Sequence, residues 1–75
     1  MNFSAQATFG TRLKLVRVSK GLTQAEAAAA LHTTRKQIHL WENEKVEPTD
    51  ESRKKLSRWA GIPESVLFKG RKYKC

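Results

Sequence analysis

Cysteine is almost missing from this chain: Cys75, the last residue, is the only one. A lone thiol cannot close an internal disulfide, which predicts a protein held together by packing in the reducing cytoplasm. Acidic residues are scarce as well. Seven Asp and Glu stand against fifteen Lys and Arg, leaving a formal charge of +8. Such an excess implies a polyanionic partner, with nucleic acid ahead of an anionic membrane surface. No apolar run approaches the roughly 20 residues that a membrane span needs. The opening MNFSAQATFG lacks the basic and apolar regions of a secretion signal. The two histidines, His32 and His39, have no Cys or acidic residue at metal-ligand spacing, so neither metal nor other cofactor is expected. No nucleophile, base and orienting group can be assembled, so no enzymatic activity is expected. No β pattern, internal repeat or linker is visible.

What is present is helical periodicity. Seventy-five residues, 39% of them hydrophobic, suffice for one domain, 1–75, with one small core. They leave no room for a sensor of small-molecule effectors. Residues 1–7 read as a loose arm and 69–75 as a basic tail. Thr8 can cap a first helix from about Phe9 to Ser19, with Phe9, Leu13 and Val16 on one face. Gly21 suits the left-handed residue that stops it. Farther on, Thr49 or Asp50 caps a helix to about Ala60, with Leu56, Trp59 and Ala60 inward and Arg53, Lys54, Lys55 and Arg58 outward. Gly61 ends that helix, and Pro63 opens a short fifth one through Phe68.

Between these lies Gly21–Glu44, GLTQAEAAAALHTTRKQIHLWENE. Thr23-Gln24-Ala25-Glu26 fits a capping box, and so does Thr34-Arg35-Lys36-Gln37. They predict helices from about Gln24 to Leu31 and from about Arg35 to Asn43. Only His32-Thr33-Thr34 separates the two, which sets them at a steep angle. Ala28 is small where they would cross. Ala27 with Leu31, and Ile38 with Trp41, give each helix one buried stripe. This is the helix-turn-helix plan, in which the second helix enters the DNA major groove.

From about Phe9 to Phe68 the chain resembles the Cro/repressor-type helix-turn-helix family of lambdoid phages, also common in bacterial regulators. Gly21-Leu22-Thr23-Gln24, Ala28, Leu31, Thr33-Thr34, Ile38, Trp41-Glu42 and Pro48 carry the resemblance. Two positions depart from the family pattern. His32 stands in the turn where Gly is usual, and a left-handed conformation there costs a His about 1 kcal/mol. Glu44 follows the second motif helix where Gly is frequent. The resemblance implies an all-α, five-helix bundle of the lambda repressor-like type. It also implies a partly buried ion pair between Arg17 and Glu42.

The same resemblance places site residues. Gln24 would meet a phosphate and brace the recognition helix, and Thr34, Asn43 and Lys45 would hold further phosphates. Opposite Ile38 and Trp41, helix three carries Lys36, His39, Leu40 and Asn43, flanked by Arg35 and Gln37. Of these, Arg35, Lys36, Gln37, His39 and Leu40 are the candidates to touch bases. Ile62, Val66 and Phe68 would form a dimer interface, since one short helix cannot bury so many apolar side chains alone. The reading is a transcriptional regulator, a repressor holding a palindromic stretch of double-stranded DNA as a homodimer, without membrane or effector. An antitoxin of a toxin–antitoxin pair is the nearest alternative, weakened by the few residues after Phe68. A protein-interaction or RNA-binding module on the same fold is the other.

Overall fold

The structure, a computed structural model, describes residues 8–68; the expected arm and basic tail lie outside the described residues. Five helices follow in order: α1 Phe9–Ser19, α2 Gln24–Ala30, α3 Arg35–Glu42, α4 Asp50–Ala60 and α5 Glu64–Leu67. No strand occurs among the described residues. The expected all-α bundle is what forms. Boundaries shift by a residue: Leu31 and Asn43 cap α2 and α3 rather than ending them, and Pro63 and Phe68 flank α5.

The first four helices open in one way. Thr8, Thr23, Thr34 and Thr49 each accept, through the side chain, the backbone N–H three residues on. Each cap satisfies an N–H that the helix itself leaves free. At Thr23 the box is complete, with Glu26 accepting in return from the Thr23 N–H at 2.8 Å.

The first three helices also close in one way. Leu22 N–H donates to Arg17 O and Gly21 N–H to Val18 O. Thr33 to Ala28 with His32 to Ala29, and Lys45 to Leu40 with Glu44 to Trp41, repeat the pattern. It is the Schellman closure, which places one residue in the left-handed region. Only α1 uses glycine there, Gly21 at φ 71°. His32 (φ 55°) and Glu44 (φ 59°) hold the same conformation with side chains. Glu44 has a structural use for its side chain: its carboxylate accepts from the Gly10 N–H in the first turn of α1. That turn holds no acidic residue of its own, so Glu44 supplies the negative charge favoured at a helix N-terminus. Gly10 itself packs so close to α3 that an added Cβ would overlap the Glu42 carbonyl.

The core joins Phe9 and Leu13 of α1, Ala28 of α2 with its cap Leu31, Ile38 and Trp41 of α3, Leu56 of α4, Leu67 of α5, and Phe68. Burial contributes about 1.5–3 kcal/mol for each large apolar side chain, and it is what holds the four-residue α5, too short to persist alone. Two placements correct the sequence reading. Phe68 is not at the surface; it stacks on Phe9 with ring centroids 4.6 Å apart and is 4% exposed. Arg53 is buried rather than part of the solvated basic face, lying over the Phe68 ring and paired with Asp50. Arg12, three residues after Phe9 and so on the same stripe, is buried too and donates to Leu67 O at 3.2 Å. Its long apolar stem fits a core position, while its head satisfies a carbonyl.

The two non-glycine left-handed residues should respond oppositely to glycine. His32→Gly relieves strain and removes no described hydrogen bond of the side chain, so the domain should gain about 1 kcal/mol, or roughly 4–8 °C in Tm. Glu44→Gly relieves the same strain but strips the cap from α1, a charge-assisted bond of about 1.5–3 kcal/mol, so Tm should fall. Thermal melts followed by circular dichroism measure both. Equal shifts of one sign would mean the Glu44 carboxylate does not stabilise α1.

Candidate nucleic-acid interface

Arg17 lies near the end of α1 and Glu42 ends α3. The guanidinium meets the carboxylate through two bonds, Nε to Oε2 at 2.6 Å and Nη2 to Oε1 at 3.2 Å. Its remaining arm, Nη1, donates to Leu22 O at 2.8 Å in the turn before α2. The Glu42 side chain is 3% exposed and that of Arg17 12%. Two-pronged pairing of this kind is strong and directional, and a carboxylate so far from water requires it. Glu42 Oε1 also accepts from Gln24 Nε2 at 3.1 Å. One carboxylate therefore ties α1, the first residue of α2 and the last residue of α3 together.

That tie presents α3 in a fixed pose. Ile38 and Trp41 point into the core, while Arg35, Lys36 and His39 are exposed and Gln37 and Leu40 are half-buried. The expected base-touching set thus lies on one outward side. Of the expected phosphate contacts, Thr34 is exposed and its oxygen accepts from Gln37 N–H at 3.1 Å, leaving its own O–H to donate. Asn43 and Lys45 are exposed beyond the end of α3. Gln24 is half-buried, with its amide held by Glu42 rather than free. Asn43 Nδ2 donates to His39 O at 2.8 Å and lies 3.3 Å from His39 Nδ1.

An open groove of about 470 Å³ runs between α1 and the helix pair, lined by Thr11, Lys14, Arg17, Gln24, His39, Glu42 and Asn43. Thr11 and Lys14 were not singled out from the sequence. The signal was available, because Thr11, Lys14 and Arg17 follow one another at i, i+3 spacing on one face of α1. At the other end of the molecule, Val66 is 41% exposed and Ile62 packs partly against the core. Of the three residues expected at a dimer interface, these two remain accessible and Phe68 does not. Among the described residues no group of three His, Cys, Asp or Glu could hold a metal ion, and no helix is long and apolar enough to cross a membrane.

Comparison with protein families matches residues 13–67 to the helix-turn-helix family, and the chain belongs to it. Among solved structures, the P22 c2 repressor in complex with a synthetic operator superposes with a TM-score of 0.80 at 25% identity, covering 87% of this chain and 98% of that one. The solution structure of the P22 c2 repressor DNA-binding domain gives 0.76 at 26% identity, covering 93% and 88%. The restriction-modification controller protein C.AhdI from Aeromonas hydrophila gives 0.71 at 28% identity, covering 80% and 91%. A comparison with curated proteins finds no match.

Arg17→Met should strand Glu42 and cost about 3–5 kcal/mol, a large share of the 5–15 kcal/mol that such domains hold. Adding Glu42→Leu removes the stranded charge and should recover most of that loss. Urea melts of the single and double variants measure both. A single variant as stable as wild type would show that water, not Arg17, satisfies the carboxylate.

Proposed function

We propose that this DNA-binding transcription regulator is a repressor: two copies hold a palindromic operator, each with α3 in the major groove. The observation that carries the reading is the outward side of α3. Lys36 and His39 stand opposite the buried Ile38 and Trp41, flanked by Arg35 and Gln37, on a helix locked to its neighbours through Glu42. The likeness to the P22 c2 repressor bound to an operator supports it.

The roles follow from side-chain chemistry. Arg35 and Lys36 stand in the first turn of α3 and match the two acceptors of guanine, O6 and N7. Gln37 suits the donor and acceptor of adenine, and Leu40 suits a thymine methyl. Gln24, Thr34, Asn43 and Lys45 hold phosphates on either side and set the register without reading sequence. Lys54, Lys55 and Arg58 on α4 add general attraction. Ile62 and Val66 of two copies meet across the two-fold axis, placing the recognition helices about 34 Å apart, one turn of the duplex. Such a protein acts in the cytoplasm, with occupancy following its own concentration.

Selection of bound sequences from a random duplex pool tests this reading. The expected product is a two-fold consensus, with G toward the end and T nearer the middle of each half-site, bound by two copies. Lys36→Ala should relax the preference at one G·C pair by about 1–3 kcal/mol. Val66→Asp should weaken binding to the full operator while leaving a single half-site unaffected. No enriched sequence, or one half-site saturated by one copy, would contradict the proposal.

A further inference from the structure

We propose that the groove between α1, α2 and α3 is a subsite for one backbone phosphate of the operator, with Lys14 as its cation and His39 as a hydrogen-bond donor. The inference rests on the DNA-binding reading above and extends the interface to α1, outside the helix-turn-helix.

The first observation is charge. Among the residues lining the groove Glu42 is the only carboxylate, and its oxygens already accept from Arg17 and Gln24. Lys14 is exposed on the opposite wall, and no Asp or Glu lies within ion-pair distance of it among the described residues. The groove therefore carries net positive charge with its one anion neutralised.

The second observation is the polarity of the remaining groups. The bond from Asn43 Nδ2 to the His39 carbonyl fixes which way the Asn43 amide points. The same nitrogen faces His39 Nδ1 at 3.3 Å. A donor facing Nδ1 makes that atom the acceptor of the neutral ring, which leaves the hydrogen on Nε2. His39 then offers an N–H, as Lys14 offers an ammonium and Gln24 the second hydrogen of its amide. A wall of donors around a satisfied carboxylate suits phosphate oxygens; it does not suit a cation, which needs free acceptors.

The third observation is length. At 1.5 Å per residue, the eight residues of α3 span about 12 Å, close to the width of the major groove. With the Arg35 end over the bases, the Asn43 end reaches the wall of the groove, where phosphates lie. His39 lines the groove beside Asn43, and its role there is to position the duplex.

The test uses Lys14→Gln, an exposed substitution that should leave the thermal melt unchanged. Its affinity for the selected operator and for random duplex should fall by the same factor. The slope of log affinity against log salt should flatten by about 0.9, the release of one counterion. Replacing backbone phosphates one at a time by neutral methylphosphonates should expose one position that weakens wild type but not Lys14→Gln, and His39→Ala should show reduced sensitivity there. An unchanged slope, or an altered base preference, would overturn the assignment while leaving duplex binding intact. Failure of the wild type to bind any duplex would instead overturn the DNA-binding reading. If inorganic phosphate at constant ionic strength released the duplex from wild type but not from Lys14→Gln, the groove would be a free-anion site and the assignment to the backbone would fall.

Discussion

A carboxylate with 3% of its side chain in contact with solvent is stable only while its oxygens are satisfied. Glu42 meets that requirement by drawing Arg17 from α1 and Gln24 from α2. The guanidinium in turn uses its third arm on Leu22 O, which pins the α1–α2 turn. Apolar packing alone is not directional and would tolerate small rotations of α3 about its axis. A two-pronged ion pair does not, because both of its bonds need the guanidinium and carboxylate planes aligned. The outward side of α3, and with it the positions of Arg35, Lys36 and Leu40, inherits its precision from this pair.

The closures of α2 and α3 show how the chain treats local cost. Both place a non-glycine residue in the left-handed region. At Glu44 the strain coincides with a capping bond to Gly10 that glycine could not make. At His32 no comparable bond is described for the side chain, and the turn carries the cost uncompensated. Gly10 is constrained for the opposite reason: the approach of α3 leaves no space for a Cβ. These contacts gather where α1 crosses α3, the same crossing that the ion pair clamps.

Much of this was legible in the sequence because it is local. Thr8, Thr23, Thr34 and Thr49 each stand one residue before an amphipathic run, and each caps a helix. The spacing of Ile38 and Trp41 marked the buried side of α3. What escaped depends on tertiary contact. Arg53 looked like a solvated cation, since nothing in its neighbours announces that the Phe68 ring will meet it. Phe68 looked like surplus apolar area because its stacking partner, Phe9, lies at the far end of the described chain. Gln24 was expected both to meet a phosphate and to brace α3; its bond to Glu42 at 3.1 Å is such a brace, although the sequence did not name the partner. The groove beside Lys14 has no sequence signature beyond the shared face of α1.

The central claim is that α3 reads base edges from within the major groove. Substituting 7-deazaguanine for each guanine of the selected operator in turn tests it most directly, since the change removes the N7 acceptor and leaves base pairing and backbone intact. The account predicts one guanine in each half-site where affinity drops by about tenfold or more, the loss of one arm of a two-point contact. Binding that is indifferent to every such substitution, yet still falls with salt, would show the protein held by phosphates alone and would contradict the account.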